Sequence, residues 1–246
     1  MVKTFYDIDG KPISFDVPKM ATTGGTNASV YDLGDGTALK QFDIISKRNI
    51  VDINVFTELM GMDFEHYYKV YQILYADYFN DSLRERFKDR SEMIWGYVMK
   101  WYVEAVNNIL DMPMDYFLSS FNGLIEMLKK FTKMHINVCD MQSYNLVLTK
   151  DRIIVVDADA YFRDYSENLF DKNKAYMYYG IYSLLAESLC HNYNLPHDIN
   201  SKALRLIYAL FYNSLDLFDV NDFANIKNSV RTYKKPIDYI YTNVNR

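Results

Sequence analysis

The chain has 246 residues, half of them apolar, and its 27 Lys and Arg against 32 Asp and Glu give a formal charge of −5. That length carries one large domain or two lobes with ample buried core, and the composition excludes collagen, disorder and a disulfide scaffold. The basic residues are scattered among acids, which argues against a nucleic-acid reader, since that needs positive charge clustered on one face.

Cys139 and Cys190 have no CxxC pair and no His-x-x-x-His partner, so neither a zinc site nor a disulfide framework is indicated, and a reducing interior is expected. The opening MVKTFYDIDGKPISF has charges among its apolar residues and reads as neither a signal peptide nor an anchor. No run reaches the ~18 apolar residues of a membrane span. The expected setting is cytoplasmic, with no membrane partner.

In chain order, five of the nine glycines (Gly10, Gly24, Gly25, Gly34 and Gly36) precede residue 37, and the chain changes character near residue 45. Ala28 to Asp43 reads ASVYDL, GDG, TALKQFD: two β-prone runs around an Asp-Gly turn, hence a hairpin. Asp52 to Met60 is helix-compatible, and Asp63 to Tyr78 suits either further strands or a helix end. MIWGYVM, Met93 to Met99, is a short buried-strand run. Phe117, Phe121, Leu124, Ile125, Leu128, Phe131 and Met134 keep helical spacing and mark a long amphipathic helix. NLVL, TKDR and IIVVD then form a second hairpin, with Asn145 at its entrance and Asp157 at its exit. Three more helices are expected at Ala175 to His191, Ser201 to Asp216 and Asn221 to Lys234. The pattern is α+β: a β-rich part over residues 1–99 joined without a linker to a helical part over residues 100–246, with room for a nucleotide in the seam.

Three stretches carry the chemistry. The first is the small-residue run TTGGTNASV, leading into the strand where Ala38, Lys40 and Phe42 share a face. A loop with little side-chain bulk can approach phosphates, and a nearby lysine can neutralise them. The second is CDMQSYN, with Asp140 and Asn145, and the third is IIVVDAD, ending at Asp157 and Asp159. An Asp, an Asn five positions on and an Asp across a tight hairpin supply one group to orient a hydroxyl and two hard oxygen donors for Mg²⁺. Asp159 reads either as a second metal ligand or as a hairpin-exit carboxylate. No Walker or Rossmann glycine motif is present.

On these residues the sequence resembles the protein-kinase-like superfamily over residues 20–160, with Val138-Cys139-Asp140 and Asn145 at the H-R-D and Asn positions and Asp157-Ala158-Asp159 at D-F-G. The resemblance implies a bilobal fold with a small β-rich N-lobe, a helical C-lobe and ATP between them. It implies that Asp140 orients the acceptor hydroxyl, that Asn145 and Asp157 hold Mg²⁺, and that Lys40 neutralises the α- and β-phosphates. Glu58, with Glu65 as the alternative, would pair with Lys40. Gly25 would belong to the phosphate loop, Val30 and Ala38 would lie against adenine, Met99 would guard the back pocket, and Lys100 to Tyr102, with Trp101 between them, would form the hinge.

Departures from the family pattern are equally specific. Cys139 replaces the Arg before the catalytic Asp and Gln142 replaces the Lys two after it, while no A-P-E triplet follows Asp157. The family's aspartate on the next helix is not evident in AYMYYGIYSLLAESL. Ser143-Tyr144-Asn145 and the short activation segment look like atypical Rio kinases, and the shortness also resembles small-molecule kinases. The implied activity is ATP- and Mg²⁺-dependent phosphoryl transfer to a hydroxyl of a protein or a small molecule. The alternative is a pseudokinase, a nucleotide-binding or scaffold module without turnover.

Overall fold

The computed structural model describes residues 1–24, 27–103, 106 and 108–192. Gly25 and the helices expected at 201–216 and 221–234 lie outside the described residues. The fold is mixed α+β, with two compact units: Met1–Tyr102 joined by Ala158–Phe162, and Val103–Asp157 joined by the chain from Arg163 onward. Among the described residues no helix is long and apolar enough to cross a membrane.

The first unit is an antiparallel sheet of seven strands: β1 (Val2–Tyr6), β2 (Pro12–Asp16), β3 (Thr23–Gly24), β4 (Ala28–Asp32), β5 (Thr37–Phe42), β6 (Val70–Tyr75) and β7 (Ile94–Lys100), in the order β2-β1-β6-β7-β5-β4-β3. The β4–β5 turn is where the Asp-Gly signal puts it. Gly34 and Gly36 take φ 79° and 84°, a region open to glycine at no steric cost, and Asp32 Oδ1 accepts from the Gly34 N–H at 2.9 Å. The β1–β2 hairpin turns the same way at Gly10, φ 85°.

Register sorts the two faces of this sheet. Leu39 sits opposite Tyr31 and Val98, and with Phe5, Val17 and Leu74 they form the core of one face. Burying Leu39 or Leu74 completely is worth about 2 kcal/mol each. On the other face Lys40 lies opposite Val30 and Tyr97, and Ala38 opposite Met99. Helix α1 (Ile53–Met60) covers that face: Asp52 caps it by accepting from the Asn54 and Val55 N–H groups, and Phe56 packs its ring 5.2 Å from Tyr97. A short helix, α2 (Asp81–Arg86), precedes β7. The ambiguous stretch at 63–78 resolves as a turn followed by β6.

The second unit is built on α3 (Met114–Lys133) and α4 (Leu169–Asn192). Phe117, Phe121, Leu124, Leu128 and Phe131 are buried along α3, as their spacing predicts, and Phe121 stacks on Tyr178 of α4 at 5.8 Å. Strand β8 (Ile136–Asn137) follows α3, and β9 (Leu146–Leu148) pairs antiparallel with β10 (Ile153–Val155) as the expected second hairpin. Ser120 of α3, fully buried, accepts from the Ile153 N–H at 3.1 Å. Helix α4 starts six residues before the expected Ala175. Its first turns read LFDKNKAY, and a buried asparagine among charges hides the helical period there.

Candidate functional site

In the second unit the segment between β8 and β9, which has one short 3-10 turn at Ser143–Asn145, is held by α4. Asn173 is completely buried; its Oδ1 accepts from the Val138 N–H at 3.0 Å and its Nδ2 donates to the Ile136 carbonyl at 2.9 Å. Ser143 Oγ donates to Glu187 Oε1 at 2.7 Å. Gly180 lets α4 come close: a Cβ there would stand 2.5 Å from the Met141 carbonyl oxygen. Together these contacts fix the backbone on both sides of Asp140.

Around Asp140 the donors converge. Asn145 Nδ2 donates to the Asp140 carbonyl at 2.7 Å and to its Oδ2 at 3.1 Å, and Gln142 Nε2 donates to Oδ1 at 3.3 Å. The Val156 N–H donates to the Asn145 carbonyl at 2.9 Å, which ties this turn to the residue before Asp157. Burial raises the Asp140 carboxyl above its ordinary range, and the negative charge of Asp157 raises it further, against the opposing hydrogen bonds. Asp157 itself sits at φ 63°, in the left-handed region. Asp tolerates that region better than most residues, and single strained positions of this kind gather at functional sites.

The structure therefore brings Asp140, Asn145 and Asp157 to one place in this unit. Both bonds from the Asn145 side chain to Asp140 use its nitrogen, which turns the amide oxygen elsewhere as a hard donor. That oxygen and the Asp157 carboxylate suit Mg²⁺, which is commonly held by one or two carboxylates together with substrate phosphates. Among the described residues no cluster of three or more His, Cys, Asp or Glu side chains forms a self-sufficient metal site. The donor set fits an ion shared with phosphates.

In the first unit Val30, Ala38, Lys40 and Met99 share one sheet face, as the register above requires. Lys40 is only 6% exposed; its amine bonds Asp159 Oδ2 at 2.6 Å and lies 5.4 and 5.5 Å from the ring centres of Phe42 and Tyr97. Asp159 has a partner that spacing alone did not offer: it is the acid on Lys40. Its peptide is fixed too, since its carbonyl accepts from the Val51 N–H at 2.8 Å and the Ala158 N–H donates to the Tyr68 hydroxyl at 3.1 Å. Tyr67, buried beside Tyr68, Tyr161 and Asp159, has its phenol pushed well above the ordinary value, chiefly by burial.

The remaining sequence candidates separate. Glu58 is half-buried on α1, whereas Glu65 is exposed in the turn ahead of β6. Of the hinge residues Lys100 to Tyr102, the first two are already in use as donors: the Lys100 N–H bonds the Lys69 carbonyl at 2.8 Å and the Trp101 N–H bonds the Gly36 carbonyl at 2.9 Å. His135 is exposed, with φ 57°, just past the end of α3, its ring 4.7 Å from that of Tyr165. Asn173 is the residue sequence reasoning missed. The signal for it was position: Asn173 stands four residues from both Leu169 and Met177, on the buried stripe of α4.

No family model matches the chain, and no curated protein matches it.

Proposed function

We propose that the chain is an ATP- and Mg²⁺-dependent phosphotransferase with a bilobal protein-kinase-like fold, moving a γ-phosphoryl group to a hydroxyl of a protein or a small molecule. The observation that carries this reading is the convergence of Asp140, Asn145 and Asp157 on a loop pinned by α4. Phosphoryl transfer asks little covalent chemistry of a protein; it asks for positioning and for charge neutralisation. Asp140 would orient the acceptor hydroxyl and receive its proton. Asn145 and Asp157 would hold the metal, which supplies charge neutralisation at the phosphates. Lys40, a buried cation on the strand face with Val30, Ala38 and Met99, would supply the cation for the α- and β-phosphates, with the last three residues against the base.

A second reading, a pseudokinase that binds nucleotide without turnover, is favoured by the committed N–H groups of Lys100 and Trp101 and by Cys139 and Gln142 at positions the family fills with cations. One set of measurements separates the two. Thermal stabilisation by ATP that requires Mg²⁺, together with ADP formation that falls at least ~10³-fold in Asp157→Asn and in Asp140→Asn, supports the enzyme. Stabilisation without ADP formation selects the pseudokinase, and equal ADP formation by wild type and Asp157→Asn overturns the site.

A further inference from the structure

The acid beside Lys40 is anchored through its backbone as well as through its charge. Asp159 Oδ2 stands 2.6 Å from the Lys40 amine, with both side chains largely out of water. The chain is tied before and after that side chain: the Ala158 N–H donates to the Tyr68 hydroxyl at 3.1 Å, and the Asp159 carbonyl accepts at 2.8 Å from the N–H of Val51, the residue ahead of the α1 cap Asp52. The Tyr68 hydroxyl in turn lies 3.4 Å from that of Tyr97. Tyr97 and Phe42 set their ring centres 5.5 and 5.4 Å from the same amine. All of these residues belong to the first unit. A lysine carries its charge on a flexible four-carbon stem, so an amine that must meet a phosphate at one point has to be held there. An ammonium has three donors and the Asp159 bond engages one of them; the contact aims the group without closing it to a phosphate.

We infer that Asp159 is the positioning residue of Lys40: it sets where the amine meets the α- and β-phosphates of a nucleotide, and it acts on the nucleotide only through that amine. The inference rests on the phosphotransferase reading above, which is what makes Lys40 the cation for the phosphates. The resemblance gives a role of this kind to Glu58 of α1, 18 residues after Lys40 in the sequence. Asp159 instead lies two positions after Asp157, so one three-residue stretch would supply both a metal ligand and the acid that aims the cation. Positioning through a second group has a signature that a purely structural role lacks, because only the part of the ligand that Lys40 touches should feel the loss.

The test uses the full chain with Mg²⁺ and two probes, a non-hydrolysable ATP analogue and adenosine, which lacks the phosphates. Calorimetry measures both affinities in wild type, Asp159→Asn, Asp159→Glu, Lys40→Met and the double variant Lys40→Met with Asp159→Asn. The expected result is a loss of at least ~10-fold for the analogue in Asp159→Asn, with adenosine changed by less than about twofold. Asp159→Glu, which keeps the carboxylate and serves if the Asn variant does not fold, should lose less for the analogue and again spare adenosine. In the Lys40→Met background, Asp159→Asn should cost the analogue nothing further. Equal losses for the two probes would reduce Asp159 to a structural residue, and unchanged or tighter analogue binding in Asp159→Asn would show that it does not position the amine. A further loss in the Lys40→Met background would mean that it acts through another group. Each of these three outcomes overturns the inference while wild-type binding leaves the nucleotide site standing. Binding of neither probe by wild type overturns the nucleotide reading and the inference with it.

Discussion

The Lys40 amine and the Asp159 carboxylate, 119 residues apart in sequence, meet at 2.6 Å with both side chains largely out of water. Removing one member of a buried pair strands the charge of the other, which is more damaging than removing both. Lys40→Met and Asp159→Leu are each expected to destabilise the fold by about 3 kcal/mol or more. The double variant should be more stable than the sum of the two losses by about 1 to 3 kcal/mol. Urea unfolding of the four proteins measures the cycle, and additive losses would show that the two groups do not depend on each other.

Asp140 gives a pH signature. Its folded carboxyl titrates above the ordinary range, through burial and then through Asp157, so the folded state disfavours the ionised form. The penalty is present at neutral pH and disappears as pH falls through the raised value, where the folded state holds the proton more tightly than the unfolded chain. Asp140→Asn should therefore melt above wild type at neutral pH, with the gap closing toward acid. A gap that widens on acidification contradicts the assignment.

Asn173 satisfies two buried backbone groups at once. Asn173→Leu keeps the volume and loses both bonds, leaving the Val138 N–H and the Ile136 carbonyl without this partner at about 1 to 3 kcal/mol each. Because those groups flank the Asp140 loop, ADP formation should fall further than the residual folded fraction explains. Activity that tracks folded fraction alone would reduce Asn173 to a packing residue.

Cys139 reports the same electrostatics without any nucleotide. Burial and the Asp140 charge raise its thiol above the ordinary value, and the thiolate is the reactive form. Alkylation at Cys139, followed by peptide mapping to separate it from Cys190, should be slow at neutral pH. It should quicken in Asp140→Asn, where the neighbouring charge is gone. An unchanged rate would mean that the carboxylate does not act on the thiol.

Asp157 at φ 63° predicts an ordering of variants. Asn tolerates the left-handed region and Ala does not, so Asp157→Ala should be less stable than Asp157→Asn by about 1 kcal/mol, although both lose the carboxylate. Equal stability in denaturant would place the backbone elsewhere in solution.

Local rules sufficed for much of this protein. The Gly34–Gly36 turn, the α1 cap at Asp52, the buried stripe of α3 and the β9–β10 hairpin are each specified by residues within a few positions of one another, so their spacing is legible in the chain alone. The grouping of Asp140, Asn145 and Asp157 was legible for the same reason: a tight hairpin returns the chain on itself within a dozen residues. What spacing could not supply was every partnership between distant residues. That Lys40 meets Asp159, that Asn173 turns inward to hold Val138 and Ile136, and that the Lys100 and Trp101 N–H groups are spent on Lys69 and Gly36 were decided only when separate elements packed, because a hydrogen bond to a remote backbone group leaves no period in the sequence.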